Sequence, residues 1–215
     1  MIPCRNCEEA MYLSRLKLDI TNRKTMIAMA SPNLFHGAIE RSFSGERQRN
    51  LWRIDTLRGC PYLLILSPEK PDLTEAAKQF GFIAPEVNAE IKDYTPLLNR
   101  VENNSHWHFR LTANPVKSVA NKERGDIHAH ITPHYQKQWL LERAEKHGFL
   151  LREDEFDVVH SQWYSFSKGK NKAVLFAATY EGGLTVTNAD SFKEMLVNGI
   201  GRGKAYGMGL MTIVR

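Results

Sequence analysis

Five glycines crowd the run Gly199-Ile-Gly-Arg-Gly-Lys-Ala-Tyr-Gly-Met-Gly209, with Arg202 and Lys204 among them. Bare backbone beside two cations is a way to bring N–H groups and positive charge against an anion. The nucleotide motifs do not fit. A P-loop needs a glycine five positions before its Gly-Lys pair and a Ser or Thr after it, but here Asn198 and Ala205 occupy those places. The dinucleotide fingerprint G-x-G-x-x-G fails as well, at Lys204 in one frame and Tyr206 in the other. A helix cap and a tight turn account for one or two glycines, not five. Gly201, Arg202, Gly203, Lys204, Gly207 and Gly209 are therefore candidates to hold an anionic group.

Proton chemistry points elsewhere in the chain. In "NLFHGAIE", Leu34, Phe35, Ala38, Ile39 and the following Phe43 make an apolar stripe, and His36 falls at its polar edge near Asn33 and Glu40. Such a histidine is either a boundary residue satisfied by Glu40 or a proton carrier titrating near neutrality. Arg110, Asn114 and Lys117 cluster at one strand end in "FRLTANPVKS", a solvated basic edge or a phosphate contact. Lys168, Lys170 and Lys172 crowd a hairpin tip, which is either an ordinary soluble turn or, by its charge, a phosphate contact. Trp163, Tyr164 and Phe166 precede that tip, and core packing is the expected role for most of them. His128, His130 and His134 in "HAHITPH" have no carboxylate or cysteine nearby to complete a ligand set, so no metal site is expected. Cys4 and Cys7 form a CxxC with no second pair, in a segment (1–10) read as a flexible extension.

The elements that must carry these residues fall into two similar halves. "MYLSRLKLDI" alternates as a strand, and Ser31 with Pro32 opens a helix. "NLWRIDTL" and "PYLLILSP" flank Arg58-Gly59-Cys60, "LTEAAKQFGF" is a helix ending at Gly81, and "AEIKDYT" is a last strand. The second half repeats the order: a strand stopped by Pro115, a helix opened by Thr132 and Pro133, a hairpin, the helix "DSFKEMLVNGI" and the strand "GLMTIV". The reading is α+β, two tandem ferredoxin-like (RRM-like) βαββαβ domains over 11–103 and 104–215.

The chain has 215 residues and a net charge of +5. Residues 1–103 hold 14 Lys and Arg against 13 Asp and Glu; residues 104–215 hold 15 against 11, with seven of the eight histidines. A basic second half suggests a polyanion partner. No apolar run approaches a membrane span, three cysteines argue against a disulfide framework, and the N-terminus has no signal-peptide core, which makes the cytoplasm the expected compartment.

"MYLSRLKLD", "WHFRLTANPVKS" and "NGIGRGKAYGMGLMTI", in that order from Met11 onward, resemble the CasE family, the repeat-RNA-cleaving endoribonucleases of type I-E CRISPR Cascade. The resemblance implies cleavage of a CRISPR repeat hairpin without metal or other cofactor, by 2′-OH attack that leaves a 2′,3′-cyclic phosphate and a 5′-OH. It implies that the guide RNA is retained and that the other Cascade subunits are partners. His36 matches the family's catalytic histidine, and Arg110, Asn114, Lys117 and the glycine-rich loop match RNA-contacting positions. The chain departs at Asn33, where the family carries a tyrosine. An amide orients a phosphate but cannot trade a proton as a phenol can, so His36 acts alone or Lys204 or Tyr206 compensates. The competing readings are a non-catalytic RNA-binding subunit and a CxxC-dependent zinc or redox protein.

Overall fold

The computed structural model describes residues 10–45, 48–82, 88–119, 126–168 and 171–215. The 1–10 extension, with Cys4 and Cys7, lies almost wholly outside the described residues.

The first sheet is built from β1 (Tyr12–Lys17), followed by two short helices, α1 (Arg23–Ala30) and α2 (Asn33–Glu40), then β2 (Leu51–Leu57), β3 (Cys60–Ser67), α3 (Thr74–Phe80) and β4 (Ala89–Asp93). Its order is β2-β3-β1-β4 with every pairing antiparallel, which is the ferredoxin-like arrangement. The β2–β3 turn uses Arg58 and Gly59 at φ 51° and 77°, the mirror-image turn that suits strand twist. Helix α1 was not expected: Asn22 caps it through the Lys24 amide, but Met26 and Ile27 are exposed, so no clean apolar stripe marks it. Ser31 closes α1 instead of opening α2, which begins at Asn33.

After α4 (Thr95–Leu98), the second sheet repeats the scheme with β5 (His106–Ala113), β6 (Val116–Val119), β7 (Asp126–Ala129), α5 (Pro133–Ala144), β8 (Phe149–Leu150), β9 (Phe156–Lys168), β10 (Asn171–Val186), α6 (Ala189–Asn198) and β11 (Met211–Val214). The order β11-β5-β10 continues to β9, with β8 against the far end of β10. The fold is α+β, with the ferredoxin-like order in both sheets. Pro115 ends β5 as expected, but the chain then forms the small β6–β7 hairpin, which was not foreseen.

One apolar core lies under α2 and α3 of the first sheet. The other runs through the second sheet and takes in Leu51, Leu64 and Leu66 from the first. At this seam Arg53 is 1% exposed. Its Nε and Nη2 donate to Asp55 at 2.9 and 2.5 Å, and Nη1 donates to the carbonyls of Arg110 (2.8 Å) and Leu210 (2.7 Å). Nη2 also donates to Thr212 Oγ1 at 2.8 Å. All five donors of the guanidinium are used, and three of the five bonds cross to the second sheet.

Removing one partner of a buried ion pair leaves the other uncompensated, at a cost of about 3–5 kcal/mol. Arg53→Met is therefore expected to lower unfolding free energy in urea by that order. Arg53→Met/Asp55→Leu should recover part of the loss, because the buried carboxylate, left with only the part-exposed Arg110 as counter-charge, is removed as well.

Candidate active site

Phe35, Ala38 and Ile39 bury one face of α2, while Leu34, expected in the stripe, is exposed. His36 sits at the edge with its side chain 29% exposed, and its Nδ1 is 3.9 Å from Glu40 Oε1. Opposite α2 stands the glycine-rich loop, with a 3₁₀ turn at Lys204–Tyr206. Between them opens a cleft of about 620 Å³, lined by His36 and Glu40 on one side and Gly201–Ala205 on the other, with Gln48, Arg49 and Asn50 completing it. Burial, and then the charge of Arg49, push the Lys204 ammonium below the usual lysine range. Arg49, Arg202 and Lys204 thus make a strongly cationic site, facing a histidine.

The loop's glycines divide by position. Gly201 and Gly203 line the cleft. Gly207 and Gly209, read from sequence as RNA contacts, are buried instead. A Cβ on Gly207 would stand 2.8 Å from Trp52 Cζ3, and one on Gly209 would stand 2.7 Å from the Ile200 carbonyl oxygen. Their φ angles are 80° and 91°. Their amides are also engaged within the protein, with the Lys204 and Thr112 carbonyls. At these two positions a side chain would meet the protein's own atoms.

Other expected site residues are dispersed. Tyr206 lies outside the cleft lining and packs on Phe166, ring centroids 5.0 Å apart, which ties the outer part of the β9–β10 hairpin to the loop. Arg110 faces a second groove, and its charge is engaged with Asp55 (3.1 Å) and Glu181. Asn114 is buried and bridges by its backbone to Arg202, so it steadies the loop from behind. Lys117 is exposed on β6, opposite His128. Asn33 begins α2 one turn before His36; its Oδ1 is buried with no hydrogen-bond partner, and it does not line the cleft. Lys168 and Lys172 stand in the last pairs of the β9–β10 hairpin, while their side chains and all of Lys170 lie outside the described residues. Trp163 is half exposed against Phe176, and Phe166 is buried. Among the described residues no three His, Cys, Asp or Glu side chains converge as a metal set, and His128 and His134 are exposed, with the His134 ring against Tyr135. Arg49 and Asn50 belong to no motif, and their only mark in the sequence is "RQRN", a basic run entering β2.

A family model described as "CRISPR associated protein" matches residues 11–215. The chain belongs to this family. It is 29% identical over 223 residues to the CRISPR-associated endoribonuclease Cse3 of Thermus thermophilus, covering 94% of this chain and 99% of the relative. To the Cascade subunit CasE of Escherichia coli it is 25% identical over 172 residues, 74% and 76% of the two chains. Cse3 bound to a 19-nucleotide RNA superposes with a TM-score of 0.77 at 27% identity, covering 96% of this chain and 100% of the other. The Thermus thermophilus Cse3 complex with an RNA representing the pre-cleavage state reaches 0.80 at 25% identity, with the same coverage. The CasE resemblance read from the three sequence stretches is borne out. No helix among the described residues is long and apolar enough to cross a membrane.

Gly59 and Gly207 have φ of 77° and 80°, but a Cβ on Gly59 meets nothing within 4 Å. Gly59→Ala should thus cost about 1–2 kcal/mol for the left-handed backbone alone, and Gly207→Ala distinctly more, because Trp52 must also move. Urea unfolding of the two variants measures the difference.

Proposed function

We propose that the protein is an endoribonuclease that cuts CRISPR repeat hairpins in precursor guide RNA and keeps its product as a Cascade subunit. The carrying observation is that His36, on α2, and Lys204, in the glycine-rich loop, line one cationic cleft with Arg49 and Arg202. Cse3 and CasE, by name an endoribonuclease and a Cascade subunit, support the substrate and the assembly. Its expected place is the cytoplasm, where a guide RNA complex of this kind would work.

RNA carries its own nucleophile, the 2′-OH beside the scissile phosphate. His36 takes that proton as the 2′-oxygen bonds to phosphorus, with Glu40 3.9 Å from its Nδ1. Arg202 and Lys204 oppose the charge that develops on the phosphorane oxygens. Lys204, already pushed toward its neutral form by burial and Arg49, is the group suited to hand a proton to the departing 5′-oxygen. The P–O5′ bond breaks, leaving a 2′,3′-cyclic phosphate and a 5′-OH. No water is consumed, and no step calls on a metal. Lys204, not Tyr206, stands where it can make up for the tyrosine that Asn33 replaces.

Asn33 also favours a second reading, a subunit that binds the hairpin without cutting it. One assay separates the two. Cleavage in excess EDTA should proceed, and a 2′-deoxy nucleotide at the cut site should block it. His36→Ala should lower the single-turnover rate by about 10²–10⁴-fold with hairpin affinity nearly unchanged. Tight binding with no cutting by the wild-type protein would establish the second reading.

Contact with phosphate has its own signature. Arg202→Ala should reduce the slope of log affinity against log salt by about one ion. A wild-type slope would take Arg202 out of the RNA interface.

A further inference from the structure

We propose that Leu51, Trp52 and Arg53, three consecutive residues of β2, are positioning residues for the cleft, and that the Trp52 indole sets where Lys204 stands relative to His36. The inference rests on the cleavage reading for its rate measurements and on the structure alone for its titration.

Successive strand residues point to opposite faces, and here each of the three meets a different part of the glycine-rich loop. Leu51 lies under its start: a Cβ on Gly199 would stand 2.8 Å from Leu51 Cδ2. Trp52 lies under its middle, at Gly207, which closes the turn begun by Lys204. Arg53 holds its end through the Leu210 carbonyl at 2.7 Å. The strand thus acts as a template against which the loop is seated at three points.

Trp52 also touches the other wall. Its ring lies 5.9 Å, centroid to centroid, from Phe35, the residue beside His36. One indole therefore spaces α2 from the Lys204–Tyr206 turn. Trp52 is 1% exposed, and its Nε1 is buried with no hydrogen-bond partner. A buried N–H without a partner is a cost, so the indole is present for its width and not for its donor.

Trp52→Phe removes the donor and narrows the spacer while keeping an aromatic core. The turn should then shift and carry Lys204 with it. A misplacement of about 1 Å costs on the order of 10²-fold, so the single-turnover rate should fall by at least about tenfold. Hairpin Kd should stay within a few-fold of wild type. In a Lys204→Ala background the same substitution should change the rate little, because the residue it acts through is gone. Phe192→Leu, a core change in the second sheet, should leave the rate unchanged at a similar loss of melting temperature. Independently of cleavage, the Lys204 titration, followed by NMR on 13C-labelled lysine, should move up toward the ordinary lysine range in Trp52→Phe as the ammonium leaves its buried place. Gly207→Ala, which presses the indole from the loop side, should also shift that titration, and serves if Trp52→Phe does not fold. A Lys204 titration unchanged in these variants overturns the proposal, as does a rate loss that persists in the Lys204→Ala background. If the wild-type protein does not cut at all, it is the cleavage reading that fails, and the titration still decides this one.

Discussion

Arg53 uses every N–H it has at the seam between the two sheets: Asp55 takes two bonds, and the Arg110 and Leu210 carbonyls and the Thr212 hydroxyl take one each. A guanidinium is planar and cannot lose its charge, so a buried one demands its partners in a fixed fork. That demand fixes β2 against β5 and β11. The segment leading into β11 is the glycine-rich loop, and β2 lies under α2 through Trp52 and Phe35. The relative placement of His36 and Lys204 is thus set where no substrate reaches.

This arrangement suits a reaction with two proton transfers and one anionic transition state. Groups from separate sheets can be held at opposite sides of a phosphate, and neither needs to move if the seam does not. The charges are graded to match. The guanidinium charges of Arg49 and Arg202 are permanent, while burial and Arg49 together lower the hold of Lys204 on its proton. Glu40 stands 3.9 Å from His36 on the other wall.

The βαββαβ order was legible because most of its strands alternate and its helices carry Pro, Asn or Gly at their ends. Helix α1 was not, since Met26 and Ile27 face outward and break the period. His36 and the loop were each legible as chemistry, but not that they face each other, because contacts between distant segments leave no spacing to read. Arg53 and Asp55 alternate within "LWRIDTL" as any solvated strand face would, and only the second sheet covering them makes them a clamp. The same gap hides the packing around Gly207 and Gly209. Five glycines suggest backbone offered to a ligand, whereas at those two positions the neighbours are Trp52 and Ile200. Arg110 and Asn114 likewise read as a basic edge, and the sequence does not show that Arg110 pairs with Glu181 and Asp55 or that Asn114 bridges to Arg202.

The division of labour between the two walls is the central claim, and a change in the leaving group tests it most directly. A repeat RNA with sulfur in place of the bridging 5′-oxygen at the cut site releases a thiolate, which needs no proton. If Lys204 supplies the proton to the leaving oxygen and His36 removes one from the 2′-OH, Lys204→Ala should cut the sulfur substrate at close to the wild-type rate. His36→Ala should stay slow on both substrates. Equal impairment of Lys204→Ala on both substrates, or recovery of His36→Ala on sulfur, would contradict the account.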